Sequence, residues 1–143
     1  MNLDDKDRKL LNLLSANSRA SIAELSRLLD LSRSTVQDRI EKLEHLGIIR
    51  GYTVRLGDDF RSSQVVAHVM IDTDQKQSSN IARALKLIDA VKELHTVNGI
   101  HDMIAVISAE STQSLDKVLD QIGELDGVEK TESSIILSTR FER

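Results

Sequence analysis

Hydrophobic residues in the first third of the chain recur at helical spacing, in three segments separated by short polar breaks. Between residues 5 and 16, apolar side chains fall three and four positions apart, and Asp4 precedes them as a candidate cap. A second helix is predicted to begin after Ser21, with Glu24 three residues on as in a capping box. A third is predicted after Ser32. The pattern indicates a three-helix unit whose second and third helices are joined by a very short turn.

The residues that follow the third helix change in character. Gly47 is predicted to end the helix, and the apolar, β-branched run over residues 48–56 predicts a strand. A Gly-Asp-Asp sequence over residues 57–59 then indicates a domain boundary. The division expected is a helical domain over residues 1–50, a linking strand and hinge over 51–63, and a second domain over 64–143.

The second half alternates strands and helices in the order β-α-β-β-α-β, which is the order of the ferredoxin-like split βαβ fold. Residues 98–102 are predicted to form the turn between the second and third strands. The chain as a whole is therefore expected to have an α+β fold. Strands are predicted over residues 65–72, 91–97, 103–109 and 128–139, and helices over 79–87 and from Ser111 or Ser114 to Leu125.

Both faces of the predicted sheet are apolar. Along the first strand, Ala67 and Val69 alternate with Val66 and Met70, so neither set is clearly the solvent side. Because the two helices of this topology cover one face only, the other face would be a large exposed apolar surface, which is typical of an interaction site. We therefore predict a homodimer in which two sheets cover each other.

The first half also suggests DNA binding. Periodicity alone favours an ordinary helical domain, but the outward positions of the third helix carry hydroxyls, an amide and arginines rather than the Glu and Lys of a typical solvated helix. Those groups donate to phosphates and base edges. Two helices across a short turn form the helix-turn-helix plan, whose second helix enters the major groove. The residues predicted to contact double-stranded DNA are Ser32, Arg33, Ser34, Thr35, Gln37 and Arg39.

Charge is divided unevenly along the chain, which carries a formal net charge of −4. Residues 1–57 contain ten Lys and Arg against eight Asp and Glu, whereas residues 58–143 contain nine against fifteen. The first part is thus only weakly basic, so one copy should bind DNA weakly. We expect two or more copies to act together.

Composition excludes several other classes. The chain contains no cysteine, which excludes disulfides and cysteine-ligated zinc or redox sites. Its four histidines lack the short spacing of a metal site, so neither a metal nor another cofactor is predicted. The charged N-terminus lacks the apolar core of a signal peptide, and no apolar run approaches the ~20 residues that span a bilayer. We expect a cytoplasmic protein without a membrane partner.

Three motifs stand out: Leu3-Asp4-x-x-Asp7, the Leu-Ser-x-Ser sequence over residues 31–34, and the sequence from Arg39 to Tyr52. With the β-α-β-β-α-β half, they make the chain resemble, over nearly its whole length, the Lrp/AsnC or feast/famine transcriptional regulators. The resemblance implies a winged helix-turn-helix and a linking strand that swaps into a partner. It also implies dimers that often form octamers, and a small effector, usually an amino acid, held where dimers meet.

The resemblance places the effector at the turn before the third strand. In the family this turn often reads Gly-Asp-Tyr/Phe-Asp, whereas here it reads Gly99-Ile100-His101-Asp102. Gly99 would let backbone N–H groups reach a carboxylate, and Asp102 would pair with an α-ammonium group. An ordinary turn explains both residues as well. The effector residues implied are Asn98, Gly99, His101, Asp102, Thr131, Ser133, Ser134 and Ile136.

Two other functions remain open at this stage. Siroheme decarboxylases resemble this architecture, but only His101 lies near the place where such an enzyme needs His and Arg around a tetrapyrrole. An octamer that wraps DNA with little ligand control is the other alternative. The function predicted is a sequence-specific, DNA-binding transcriptional regulator modulated by a small effector, and not an enzyme.

Overall fold

The computed structural model of the protein describes residues 2–61 and 63–143, which form two compact units that divide between Arg55 and Leu56. The first unit contains the three predicted helices, and the prediction of their positions is confirmed. Seven apolar side chains from all three helices are buried together as its core: Leu10, Leu14, Leu25, Leu29, Val36, Ile40 and Leu43. The helices are α1 (Asp5–Ala16), α2 (Ile22–Leu29) and α3 (Arg33–His45).

Each helix begins at a side chain that satisfies a free backbone N–H of its first turn. Ser21 and Ser32 each accept a hydrogen bond from the N–H three residues on, at 3.1 and 3.2 Å. The full capping box occurs at α1, where Asp4 accepts from the N–H of Asp7 at 2.8 Å and Asp7 accepts from that of Asp4 at 3.4 Å. The capping box predicted at α2 also requires the Glu24 side chain to accept a hydrogen bond from the N–H of Ser21, and this bond is not found among the described residues.

The chain leaves α3 at Gly47, whose φ of 71° lies in the left-handed region that favours glycine. The strand predicted over residues 48–56 does not form within the single chain, where residues 50–56 carry no regular secondary structure and pair with no strand of the described sheet; its pairing with a partner stays a prediction. A strand exists only where a neighbour supplies ladder hydrogen bonds. The described residues therefore contain no β wing after α3.

A group of charged side chains fastens α3 to the start of α1. Nη1 of Arg39 lies 2.7 Å from Oδ1 of Asp7 and 2.8 Å from both carboxylate oxygens of Asp4. Asp7 is only 1% exposed, and Nζ of Lys42 approaches its other oxygen at 3.9 Å. A buried carboxylate is costly without a cation, so Arg39 stabilises the position of Asp7 and with it the angle between the two helices.

The second unit is a four-stranded antiparallel sheet in the order β2-β3-β1-β4, which confirms the predicted ferredoxin-like arrangement. Two of its helices were predicted, and the four-residue α4 was not. The last strand ends at Ile135 rather than at residue 139. The N–H of Ile136 still donates to the carbonyl of Val66 at 2.8 Å, but β1 begins at Val65, so later residues have no partner on β1. The strands are β1 (Val65–Thr73), β2 (Val91–Thr96), β3 (Met103–Ala109) and β4 (Val128–Ile135), and the helices are α4 (Asp58–Arg61), α5 (Ser78–Lys86) and α6 (Thr112–Gly123).

The sheet has one covered face and one uncovered face. On the covered face, side chains such as Val69 and Ile107 are fully buried against Leu85 of α5 and Leu115 of α6. The uncovered face is defined by the alternating positions of the strands, and its central apolar residues remain partly exposed. It comprises Val66, His68, Met70, Asp72, Glu93, His95, Ile104, Val106, Ser108, Lys130, Glu132 and Ser134.

Acid should weaken the first unit through Asp4. The hydrogen bonds from Arg39 and from the N–H of Asp7 hold the pKa of Asp4 below its ordinary value of 3.8. The ionised form therefore stabilises the folded state above pH ~4, and this contribution is lost as pH falls through the lowered folded-state pKa. We expect Asp4→Asn to lower the melting temperature at neutral pH. The difference in melting temperature between the variant and the wild type should shrink below pH ~3.5.

The matched control for this measurement is Asp5→Asn, an exposed carboxylate in the same first turn of α1. Asp5→Asn also removes a carboxylate that interacts favourably with the helix dipole. The carboxylates that bind Arg39, however, are those of Asp4 and Asp7. A difference between Asp4→Asn and the wild type that stays constant with pH, or that equals the effect of Asp5→Asn, would contradict the role given to Asp4.

Candidate functional site

The turn between α2 and α3 is held by hydrogen bonds that fix where α3 begins. Asp30 adopts a left-handed conformation with φ of 53°, and the N–H of Leu31 donates to the carbonyl of Ser26 at 3.1 Å. The hydroxyl of Ser26 donates back to the carbonyl of Leu31, and Nζ of Lys6 donates to that of Leu29. The start of α3 is thus set by contacts from α1 and α2.

The start of α3 presents most of the side chains that were predicted to contact DNA. Ser32, Arg33, Ser34 and Gln37 are exposed, and Thr35 is half-buried. Three hydroxyls lie close together, with Oγ of Ser32 2.7 Å from Oγ1 of Thr35 and 3.2 Å from Oγ of Ser34. The arrangement places an arginine, an amide and a cluster of hydroxyl donors on one exposed helix end.

The side-chain amide of Gln37 has a partner on its own helix. Its Nε2 donates to Oε1 of Glu41 at 3.0 Å, one helical turn further on. Both side chains are exposed, so an incoming base edge can replace Glu41 at little cost.

Arg39 lies elsewhere, and its predicted role at the DNA surface is corrected. Its side chain is 23% exposed, and its guanidinium is bound to Asp4 and Asp7 of α1. Helical spacing explains this position, since residue 39 follows buried Val36 by three and precedes buried Leu43 by four. Arg39 therefore flanks the covered side of α3, where the pKa of its guanidinium is raised by the hydrogen bonds to the two carboxylates.

The turn between β2 and β3 combines exposed residues with an anchoring aspartate. Asn98 and Gly99 are exposed, and Gly99 has a φ of 119°, in the region that favours glycine. Asp102 is directed inward, and its Oδ2 accepts a hydrogen bond from the N–H of Thr73 at 2.8 Å. Its own N–H donates to the carbonyl of Ile71 at 3.1 Å. Asp102 thus has a structural partner at the end of β1.

His101 joins the turn to the uncovered face of the sheet. Its Nδ1 lies 2.8 Å from Oδ1 of Asp72, and its Nε2 lies 3.5 Å from Oε2 of Glu132. Neither carboxylate could be predicted from the sequence as a neighbour of His101. Asp72 is brought there by the pairing of β1 with β3, in which Ile71 is opposite Met103, and Glu132 by the pairing of β1 with β4, in which Met70 is opposite Glu132. The ring is 22% exposed, so this group of three side chains is accessible from the uncovered face.

The predicted effector residues of the last strand do not converge in the single chain. Thr131 and Ser133 lie opposite Ile71 and Val69 of β1, on the side covered by helices. Ser134 lies opposite His68 on the uncovered face, and Ile136 follows two positions later on that same side. Only Ser134 and Ile136 therefore share a face with His101.

The described residues contain no group of three or more His, Asp or Glu side chains that could hold a metal ion, and the group formed by His101, Asp72 and Glu132 is no exception. Within the same residues, every helix is too short or too polar to cross a membrane.

Sequence models of two known domains match the two units. The AsnC-type helix-turn-helix domain matches residues 3–44, and the Lrp/AsnC ligand-binding domain matches residues 65–143. The transcriptional regulator LrpA of Pyrococcus horikoshii is 34% identical, over 94% of this chain and 96% of that protein.

Solved structures agree with the sequence models. AsnC of Escherichia coli matches with a TM-score of 0.89 and 26% identity, over 100% of this chain and 97% of that chain. A feast or famine regulatory protein from Mycobacterium tuberculosis, solved in complex with L-methionine, matches with a TM-score of 0.88 and 32% identity, over 99% and 96% of the two chains. This chain therefore belongs to the Lrp/AsnC family of helix-turn-helix, DNA-binding transcriptional regulators.

Proposed function

We propose that the protein recognises its DNA targets through the exposed start of α3, with Ser32, Arg33, Ser34, Thr35 and Gln37 as the contacting residues. One observation carries the proposal. The outer side of this capped helix end presents an arginine, an amide and three hydroxyls, while the inner side buries apolar residues in the core of the unit. A helix held in this way can enter the major groove without reorganising its own support.

The chemistry of each side chain supports a division of labour. An arginine such as Arg33 can donate two hydrogen bonds to guanine, and Gln37 can bond adenine in the same two-pronged way. The hydroxyls of Ser32, Ser34 and Thr35 suit phosphate oxygens. Arg39 is left out of this set, because its guanidinium holds α3 on α1.

We propose further that two copies associate through the uncovered face of the sheet. The centre of this face carries Val66, Met70, Ile104 and Val106 around the exposed His68, and no helix of the described residues covers them. Association would remove this apolar area from water and would also supply two copies of α3 for a two-fold DNA site. Assembly of dimers into octamers stays a prediction from the family resemblance.

The effector we propose is an amino acid bound where dimers meet. Support comes from the matched ligand-binding domain and from the Mycobacterium tuberculosis relative that was solved with L-methionine. The exposed Gly99 turn and His101 lie beyond the apolar centre of the uncovered face, so they are candidates for contact with such a ligand. The relatives are transcriptional regulators, which supports a role other than catalysis.

Replacement of Arg33 should impair DNA recognition. We expect Arg33→Ala to lose about 1–3 kcal/mol of discrimination between the preferred base and its alternatives. The double variant Arg33→Ala/Gln37→Ala should bind a duplex from the region upstream of its own gene more weakly in a gel shift. Arg83→Ala on α5 is the matched control, because it removes an exposed arginine from the other unit. Equal affinity of the double variant and the wild type would refute this assignment.

Substitution on the uncovered face should separate the copies. Light scattering of the wild type at micromolar concentration should give at least twice the chain mass of 16.0 kDa. Val106→Asp should shift the mass toward one chain, because it places a carboxylate in the centre of the proposed interface. Gln113→Asp, at an exposed position of α6, is the control. Circular dichroism spectra should show that both variants are folded. A wild-type mass equal to that of one chain would refute the proposed association of two copies.

An amino acid effector should stabilise the protein. In a thermal-shift screen of the common amino acids, a ligand at 100 times its Kd should add about 2.7 kcal/mol of stability and raise the melting temperature. His101→Ala should reduce the rise in melting temperature caused by the amino acid. Ser79→Ala, at an exposed position of α5, should leave that rise unchanged. A melting temperature and a DNA footprint that no amino acid changes would instead favour the DNA-architectural function.

A further inference from the structure

A titratable side chain, His68, lies at the centre of the uncovered face. It is exposed, and its neighbours on the same side of β1 are Val66 and Met70. Across the sheet it lies opposite Val106 of β3 and Ser134 of β4. His68 therefore occupies the middle of the apolar surface that a second copy is proposed to cover.

His68 differs from the other histidines of this region in having no carboxylate beside it. No hydrogen bond or ion pair of its imidazole is found in the part of the chain that the structure describes. In contrast, Nε2 of His95 lies 3.0 Å from Oε2 of Glu93, and Nδ1 of His101 lies 2.8 Å from Oδ1 of Asp72. A proton on His95 or His101 is therefore compensated by a carboxylate, whereas a proton on His68 is not.

The charged side chains closest in register to His68 come from β4. Glu132 lies one diagonal step from His68, and Lys130 follows on the same side of that strand. Oε2 of Glu132 lies 3.5 Å from Nε2 of His101, so this carboxylate already faces another imidazole. Lys130 would add to the positive charge of a protonated His68.

Uncharged residues surround His68 on its other sides. From β3, only Ile104, Val106 and Ser108 belong to the uncovered face. Charged groups further from His68 come from β1, β2, α4 and the C-terminal segment. They are Asp72, Glu93, Asp58, Arg61 and Glu142. Among the described residues, no carboxylate therefore lies directly opposite His68 or beside it along β1.

Pairing of two copies through the uncovered face would remove two copies of His68 from water. In a two-fold pair the same surface of each chain forms the interface, so both imidazoles are covered together. Burial of a neutral polar group costs far less than burial of an ion without a counter-ion. Histidine is the side chain that ordinarily changes charge between pH 5 and 8, where carboxylates and lysines do not.

We propose that His68 makes the association of two copies sensitive to acid. This sensitivity rests on the association through the uncovered face that is proposed above. As the pH falls, the imidazole gains a proton in the separate chains that it cannot keep in the covered interface, so acid favours the separate chains. Association is therefore strongest above pH ~7 and weakens below it, and the paired binding of a two-fold DNA site weakens with it.

The dissociation constant of the wild-type pair should depend on pH. It is measured by sedimentation of dye-labelled protein diluted from micromolar to picomolar concentration, at pH ~7.5 and ~5.5, on either side of the range in which histidine ordinarily titrates. At the lower pH the constant should rise about 100-fold, which is about tenfold for each of two imidazoles that must lose a proton to be covered.

Two substitutions of His68 separate its charge from its shape. His68→Gln keeps a neutral polar side chain, and should give nearly the same dissociation constant at both pH values. His68→Lys carries a positive charge at both pH values, and should associate weakly at both. The position is exposed in the single chain, and circular dichroism spectra should show that both variants are folded.

The matched control is His95→Gln, which removes a histidine from the same face, but one with Glu93 beside it. This variant should keep the rise of about 100-fold in the dissociation constant, because its imidazole is compensated when protonated. His45→Gln, at an exposed position of α3 in the other unit, should keep it as well.

The possible results separate the role of His68 from the association itself. A wild-type constant that is equal at the two pH values overturns the role of His68 and leaves the association standing. A constant that falls in acid also overturns it, and would show that a carboxylate of the second copy compensates the proton. Unchanged pH dependence in His68→Gln, or its loss in His95→Gln, likewise overturns it. A mass of one chain at pH ~7.5 refutes the association, and the role of His68 with it.

Discussion

Two helices cover one face of a four-stranded sheet and leave four apolar residues uncovered on the other face, and the rest of the molecule depends on this imbalance. On the covered face, the apolar side chains of the strands and helices are buried together as the core of the second unit. The uncovered face leaves Val66, Met70, Ile104 and Val106 partly in contact with water. The proposed second copy would cover these residues, and it would also compensate for the weak charge of the DNA-binding unit.

In the first unit the important constraint is that α3 stays in a fixed position. A helix that recognises bases must keep its position when it is surrounded by phosphates, and here α3 is held by the buried carboxylate of Asp7, by Arg39 and by the hydrogen-bonded turn at Leu31. This explains why one arginine of α3 faces α1 while Arg33 stays exposed. Helical spacing places these two arginines on different sides of α3.

Local signals in the sequence predicted most of the fold. The boundaries of α1 and β3 follow from caps and alternation, and were predicted as the structure has them. Features that depend on distant partners were not predictable. The segment after α3 has strand composition but no ladder partner, Arg39 could be placed only once α1 lay against α3, and the neighbours of His101 depend on the register of β4. A turn motif alone could not show that the carboxylate of Asp102 is bonded to Thr73.

The unequal division of charge has a kinetic consequence. The part of the chain before residue 58 has an excess of two cationic groups, and the part after it an excess of six anionic ones. In the field of a duplex the two parts experience opposite forces, which favours approach by the helical unit. Since salt screens the field over about 8 Å at physiological ionic strength, this preference acts only at short range.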